Sequence, residues 1–162
     1  VFVNCSFRNC NLVKTTWKGS LAVECDFSGC QFQSSTFDFL QLYACNLTKA
    51  EFQDSKGHFW VLESDLTDAS FEKSSLQNSL FLKSTLTGME IQGWANVEKN
   101  IFHNCIDTPN IIKQKSQQEV LEYRKNNFAT KSKESIKTSD IVLNINNNAL
   151  REVISELDEF QF

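Results

Sequence analysis

The sequence predicts an all-β solenoid, a chain wound into stacked coils. Three observations point there. From Phe2 to Phe102 a large apolar residue returns about every five residues. A small residue sits two places before nearly every one of them. Cysteines recur at twenty: Cys5, Cys25 and Cys45 in one series, Cys10 and Cys30 in another. A period of five is neither the 3.6 of a helix nor the 2.0 of a strand. A fixed short repeat marks a chain whose units gain a core only by stacking.

The first run of large residues is Phe2, Phe7, Leu12, Trp17, Ala22, Phe27, Phe32, Phe37, Leu42, Leu47 and Phe52, with Gly57 as a weak member. Before them stand Cys5, Cys10, Thr15, Ser20, Cys25, Cys30, Ser35, Leu40, Cys45, Ala50 and Ser55. The remaining three positions of each unit are mostly polar, so two positions in five face inward. At Gly57-His58-Phe59-Trp60-Val61 one unit is a residue short. A second run follows: Val61, Leu66, Phe71, Leu76, Phe81, Leu86 and Ile91, with Phe59, Ser64, Ala69, Ser74, Ser79, Ser84 and Met89 before them. An extra residue at Gly93-Trp94 resets the register, and residues 95–99 and 100–104 close the series.

Segments such as S-D-L-T-D, A-S-F-E-K and S-S-L-Q-N resemble the pentapeptide-repeat family, whose units read A(D/N)LXX. The resemblance covers residues 1 to about 105. It implies a right-handed quadrilateral parallel β-helix of about five coils, four units to a coil, with a short α-helical C-terminal cap. Four units of five match the twenty-residue recurrence of cysteine. The inner columns then read Phe2, Ala22, Leu42, Val61, Phe81; Phe7, Phe27, Leu47, Leu66, Leu86; Leu12, Phe32, Phe52, Phe71, Ile91; and Trp17, Phe37, Gly57, Leu76, Val97. A β-sandwich fails because no two-residue alternation persists, and a leucine-rich repeat has a longer period.

After Cys105 the pattern stops, which divides the chain into a β-helix over 1–105 and a cap or tail over 106–162. Asp107-Thr108-Pro109 reads as a turn. Ser116 and Glu119 form a capping box that opens a helix over about 117–130. Lys131 to Asp140 reads as a loop, and Ile141 to Ile145 as a short strand or extended strap. A second helix is expected from Ala149 to Glu159, with Leu150, Val153, Ile154 and Leu157 on one face and Phe160 and Phe162 beyond.

Composition narrows the function. A net charge of −4 and a pI near 5.2 argue against direct nucleic-acid binding. No stretch is long and apolar enough to be a transmembrane segment. The chain opens on Val1 rather than Met, so no targeting segment is read from it. Cysteines confined to the small inward position read as reduced thiols in a reducing, cytoplasmic compartment.

Catalytic material is sparse. His103-Asn104-Cys105 with Asp107 has the residue types of a nucleophile or metal site but neither spacing, and reads as the cap of the last coil. No catalytic residue, metal ligand or cofactor is expected. A protein partner is. Its candidate contacts are His58 and Trp60 at the register slip, Trp94 at the second irregularity, and Leu150, Val153, Ile154, Leu157, Phe160 and Phe162 in the tail. The simpler reading tucks the two tryptophans over the core and uses the tail to cap the solenoid.

The resemblance implies an interaction scaffold, either a bacterial effector secreted into a host cytosol or a module of one. It also implies two alternatives. One is a DNA mimic that binds and protects DNA gyrase; the other is the substrate-recruiting part of a larger enzyme such as a HECT-like ubiquitin ligase. A homodimer through the C-terminal helix is a further implication.

Overall fold

The computed structural model describes residues 1–128. It divides into two compact units, Val1–Ser116 and Gln117–Phe162. The first is the predicted solenoid, a parallel β-helix of about 5 turns. Its strands are β1 (Phe2–Val3), β2 (Thr16–Val23), β3 (Thr36–Tyr43), β4 (Lys56–Leu62), β5 (Ser75–Leu76), β6 (Leu80–Leu82) and β7 (Ile101–His103). All pair in parallel, in the order β1-β2-β3-β4-β6-β7, with β5 on β4. Isolated parallel bridges join successive coils on two further faces, through Ser6, Asp26, Asn46, Asp65 and Thr85 on one and Asn11, Gln31, Glu51, Ser70 and Glu90 on the other.

The first three predicted columns form, and the fourth does so as far as Leu76. Phe2 pairs with Ala22, Ala22 with Leu42, Leu42 with Val61 and Val61 with Phe81. Stacking at the coil spacing of about 4.8 Å explains why phenylalanine is favoured. Phe32 and Phe52 lie 4.9 Å apart at 6°, Phe52 and Phe71 4.6 Å apart at 4°, and Phe81 and Phe102 4.6 Å apart at 9°. Each buried ring contributes about 1.5–3 kcal/mol before entropy is set against it.

The corners follow one rule. The carbonyl of the large residue accepts the N–H three residues on, as in Cys30 N to Phe27 O (3.1 Å) and Ser55 N to Phe52 O (3.1 Å). The residue between, two after the large one, takes a positive φ, as at Asn9, Lys14, Lys49, Asp54 and Lys73. That conformation makes the tight turn. The small residue does more than leave room. Its side chain donates to the large residue's carbonyl in the coil before: Cys30 Sγ to Phe7 O (2.8 Å), Ser55 Oγ to Phe32 O (2.8 Å) and Ser74 Oγ to Phe52 O (2.8 Å). Ser35 Oγ does both, donating to Leu12 O (3.0 Å) and accepting from Thr15 N (3.1 Å), and Ser64 Oγ accepts from Cys45 N (3.0 Å) while donating to Leu62 O of its own coil (2.8 Å). Ser, Thr and Cys therefore recur here because they satisfy buried peptide groups.

All six cysteines are free thiols, with Cys25, Cys30, Cys45 and Cys105 buried. Burial pushes the Cys30 thiol up to about 11 and Cys45 to about 12 from an ordinary 9.0. A thiol reagent should label Cys5 and Cys10 in the folded protein and the other four only after unfolding; rapid labelling of all six overturns the inward placement. The raised values also set a sign. The neutral-thiol contribution is complete below the unfolded value of 9.0 and is lost as pH rises towards about 12. Thermal unfolding followed from pH 8 upward should therefore show falling stability.

Two departures interrupt the rule. Asp38 pairs with His58 but Leu40 with Phe59, so Phe39 has no partner in β4. This is the predicted one-residue slip. The second corrects the fourth column. Ala95 N donates to Ser74 O (2.8 Å), which sets Asn96, with φ 60, over Leu76. Val97 instead opens a 3-10 turn, Val97–Lys99. The column loses its large residue there, and Trp94 fills the interior from the small position, stacked on Phe71 at 4.9 Å.

Beyond Phe102 the chain folds back on the last coil. The Gln114 carboxamide accepts from Cys105 N (2.8 Å) and donates to Cys105 O (2.9 Å). One side chain thus replaces the next coil at that rung. Lys115 N donates to Phe102 O (2.6 Å), and His103 Nδ1 meets Lys115 O at 2.6 Å. Gln114→Ala should leave the Cys105 N–H unpaired and Cys105 O with only the long hydrogen bond from Thr108 Oγ1 (3.5 Å), and cost about 1–3 kcal/mol. Denaturant unfolding measures the loss, and the Cys105 amide should lose its protection from hydrogen exchange.

In the second unit, α1 (Gln117–Phe128) forms where the capping box predicts a helix. The expected strand at Ile141–Ile145 and the second helix at Ala149–Glu159 lie outside the described residues.

Candidate protein-interaction surface

The register that fixes the core also decides what each face presents outward. On the second face, the one bridged through Asp26, Asn46 and Asp65, each of these side chains turns back on its own strand. Ser28 N donates to Asp26 Oδ1 (2.9 Å), Thr48 N to Asn46 Oδ1 (3.1 Å) and Thr67 N to Asp65 Oδ1 (2.9 Å). The Thr48 and Thr67 hydroxyls donate to the same oxygens at 2.8 and 2.6 Å. Side chains and strand are locked together, one rung above another. Partial burial would raise the Asp26 carboxyl, but the Ser28 hydroxyl and N–H and the nearby Arg8 (3.5 Å) outweigh it and hold the group below its usual range.

A groove of about 270 Å³ at this face is lined by Arg8, Ser28, Gly29, Asn46, Thr48 and Lys49. Gly29 opens it, since a side chain there would strike Asn9 Oδ1. The third face is rich in Gln and Glu, with a hydrogen bond from Gln33 Nε2 to Glu51 Oε2. The fourth carries the in-register rung Lys18, Asp38 and His58.

The first face is unlike the others. Its outward positions hold Leu21, Val23, Leu62, Leu80, Leu82 and Ile101, all buried yet outside the inner cluster. The signal was in the sequence, as apolar residues flanking Ala22, Val61, Phe81 and Phe102.

Of the sequence-derived contact residues, the described ones are His58, Trp60 and Trp94, and His58 and Trp60 flank the same Phe39 ring. Trp60 lies outward on β4 but is only 9% exposed, with its ring edge-on to Phe39 at 5.0 Å. His58 is half-buried, 5.9 Å from the same ring. Trp94 is 6% exposed, and its Nε1 donates to Leu76 O (2.9 Å), so it belongs to the core rather than to an outer surface. Leu150, Val153, Ile154, Leu157, Phe160 and Phe162 lie outside the described residues. Sequence reasoning missed the second face because its residues are ordinary polar ones. Only the register shows that they align.

Among the described residues no cluster of His, Cys, Asp and Glu could hold a metal ion, and no helix is long and apolar enough to cross a membrane.

A family model described as pentapeptide repeats matches residues 1–38 and 25–56, in 8 copies. A comparison with curated protein sequences gives no significant match. Among solved structures the chain is similar to full-length QnrB1, a plasmid-mediated fluoroquinolone resistance protein (19% identity, 64% of this chain and 54% of that one, TM-score 0.32). This chain thus spans about half the length of QnrB1. It is also similar to the pentapeptide repeat protein Rfr23 from the cyanobacterium Cyanothece 51142 (12%, 64% and 88%, 0.32). A pentapeptide repeat protein from the Arabidopsis thaliana thylakoid lumen is a third (16%, 74% and 77%, 0.30). The repeat and its register, rather than these likenesses, carry the fold.

Proposed function

This chain is a pentapeptide-repeat protein, and on that premise we propose that it is a non-catalytic scaffold that binds another protein through the outer surface of its β-helix. The observation that carries the reading is the second face. Its polar side chains are held in a rigid array by hydrogen bonds to their own strands. Such an array can be read by a partner with little ordering cost. Among the described residues the interior is filled by stacked rings and aliphatic side chains. Six free thiols support a reducing cytosol, the chain's own or that of a host into which it is delivered as an effector.

Photo-crosslinking tests the reading. A crosslinking residue placed in turn at Thr48, Gln53, Lys18 and Lys83 samples different faces of the rod. A reproducible adduct from Thr48 alone supports the second face, and equal adducts from all four positions remove it. The DNA-mimic alternative ranks lower, because acids occupy alternate rungs: Asp26, Asn46, Asp65, Thr85 on one face and Gln31, Glu51, Ser70, Glu90 on the next. Protection of gyrase supercoiling from a quinolone by the purified protein would reverse that ranking.

A further inference from the structure

The third face holds buried oxygens that no donor reaches. Outward of Phe52, Phe71 and Ile91, on successive coils, stand Glu51 and Gln53, Ser70 and Glu72, and Glu90 and Gln92. Ser70 is in register with Glu51 on one side and Glu90 on the other. It is a short side chain between two long ones, which leaves a recess floored by its hydroxyl. Ser70 is only 6% exposed, and its Oγ has no hydrogen-bond partner among the described residues. The Oε1 atoms of Gln33 and Gln53, on the two coils before it, are buried and unpartnered as well. Gln33 is fixed in that orientation, because its Nε2 donates to Glu51 Oε2. A buried oxygen without a donor is destabilising, so a run of them marks a place where donors fit.

The charge on this face is of one sign. Glu51, Glu72 and Glu90 stand there with no cation beside them, and none is in an ion pair among the described residues. Lys49 and Lys73 lie in the turns at the two sides of the face. Each has an acid at the same turn of the adjacent coil, Asp68 and Asp54 respectively. The lysines balance those acids and leave the face uncompensated.

The carboxylates are strung along the rod, one to a coil, with Glu72 offset to the neighbouring column. Among the described residues no group of acids is close enough to hold a single metal ion. A cation that matches them carries its own charges in a line, in step with coils about 4.8 Å apart. Same-side residues of an extended peptide lie about 6.8 Å apart and fall out of step. Amines joined by three methylenes keep step.

We propose that the third face binds a linear aliphatic polyamine laid along the rod. Its ammonium groups meet Glu51, Glu72 and Glu90 in turn and donate to Ser70 Oγ and Gln53 Oε1. This is a small-molecule site on a different face from the one proposed for the protein partner, and it does not rest on that reading.

The probe is norspermidine, three amines joined by trimethylene spacers, titrated calorimetrically into the intact chain. Bis(hexamethylene)triamine carries the same charge on longer spacers, and trilysine carries the same net charge on a peptide. Norspermidine should bind at least fivefold more tightly than either. The amide resonances it moves should be those of residues 51–53, 70–72 and 90–92. Ser70→Ala should weaken it at least threefold without lowering the melting temperature, since the hydroxyl has no partner to lose. Glu51→Gln with Glu90→Gln should weaken it at least tenfold. Asp38→Asn, which removes one charge from the fourth face, should change it less than twofold. Circular dichroism confirms the fold of each variant. Equal affinity for the two triamines overturns the proposal, since charge alone then explains binding. Tighter binding of trilysine, unchanged affinity in the Ser70 or Glu51/Glu90 variants, or resonance shifts on another face overturn it too. Any of these leaves the crosslinking result at Thr48 standing.

Discussion

Phe59→Ser is expected to destabilise the β-helix by about 3–5 kcal/mol, although it restores the small residue that the repeat prescribes. Phe59 occupies the small position, paired with Leu40 below it. It is fully buried, and its ring lies within 5.5–6.1 Å of Phe37, Phe52, Phe71 and Phe81. It can project so far inward because the neighbouring large position is Gly57, which leaves the fourth column without a side chain between Phe37 and Leu76. The two irregularities compensate each other. Serine at 59 would leave a cavity at the middle of the rod. Phe59→Leu keeps most of the volume and should cost about 1.5 kcal/mol or less. Denaturant unfolding separates the two variants. Equal losses would show that the site relaxes and that the compensation is not what holds it.

Gly57→Ala is the second large effect, about 3 kcal/mol or more, from overpacking and backbone strain together. A Cβ at Gly57 would lie 2.0 Å from Phe37 O and 2.8 Å from Phe37 C, both backbone atoms of the coil below. The residue also has a φ of +111°, which L side chains rarely adopt. Neither obstacle yields to a rotamer change, so the coils must part or the chain must leave its register. Gly19 provides the control. Its φ is +54°, but an added Cβ would meet nothing within 4 Å. Gly19→Ala should cost only about 1–2 kcal/mol, the left-handed penalty without the clash. If the two alanines cost the same, the clash at Phe37 is not the cause.

These predictions show what the sequence could and could not reveal. The columns through Ala22, Leu42 and Val61 were legible because identity and spacing together admit one stacking. The slip near Gly57 was legible as a missing residue. Its repair by Phe59 was not, because the repeat marks that position as small and a phenylalanine there reads as noise. Trp94 hid in the same way. It reads as an extra residue at a bulge, but it is the core's substitute for a large residue that Asn96 cannot supply. The hydrogen-bonding duty of Ser55 and Ser74 was invisible because size alone already explained serine. The candidate surface was least legible of all, since Asp26, Thr48 and Asp65 are unremarkable until the coils align them.

The three tryptophans fall on different coils. Trp17 lies in the first, half-buried, with its Nε1 donating to Thr15 Oγ1 (3.0 Å). Trp60 lies outside β4, and Trp94 is inside the last turn against Phe71. Each indole therefore sits in a different polarity, and its emission reports on its own stretch of the rod. Chains that keep only one of the three would show whether the solenoid melts as a unit or loses its coils in sequence, and from which end.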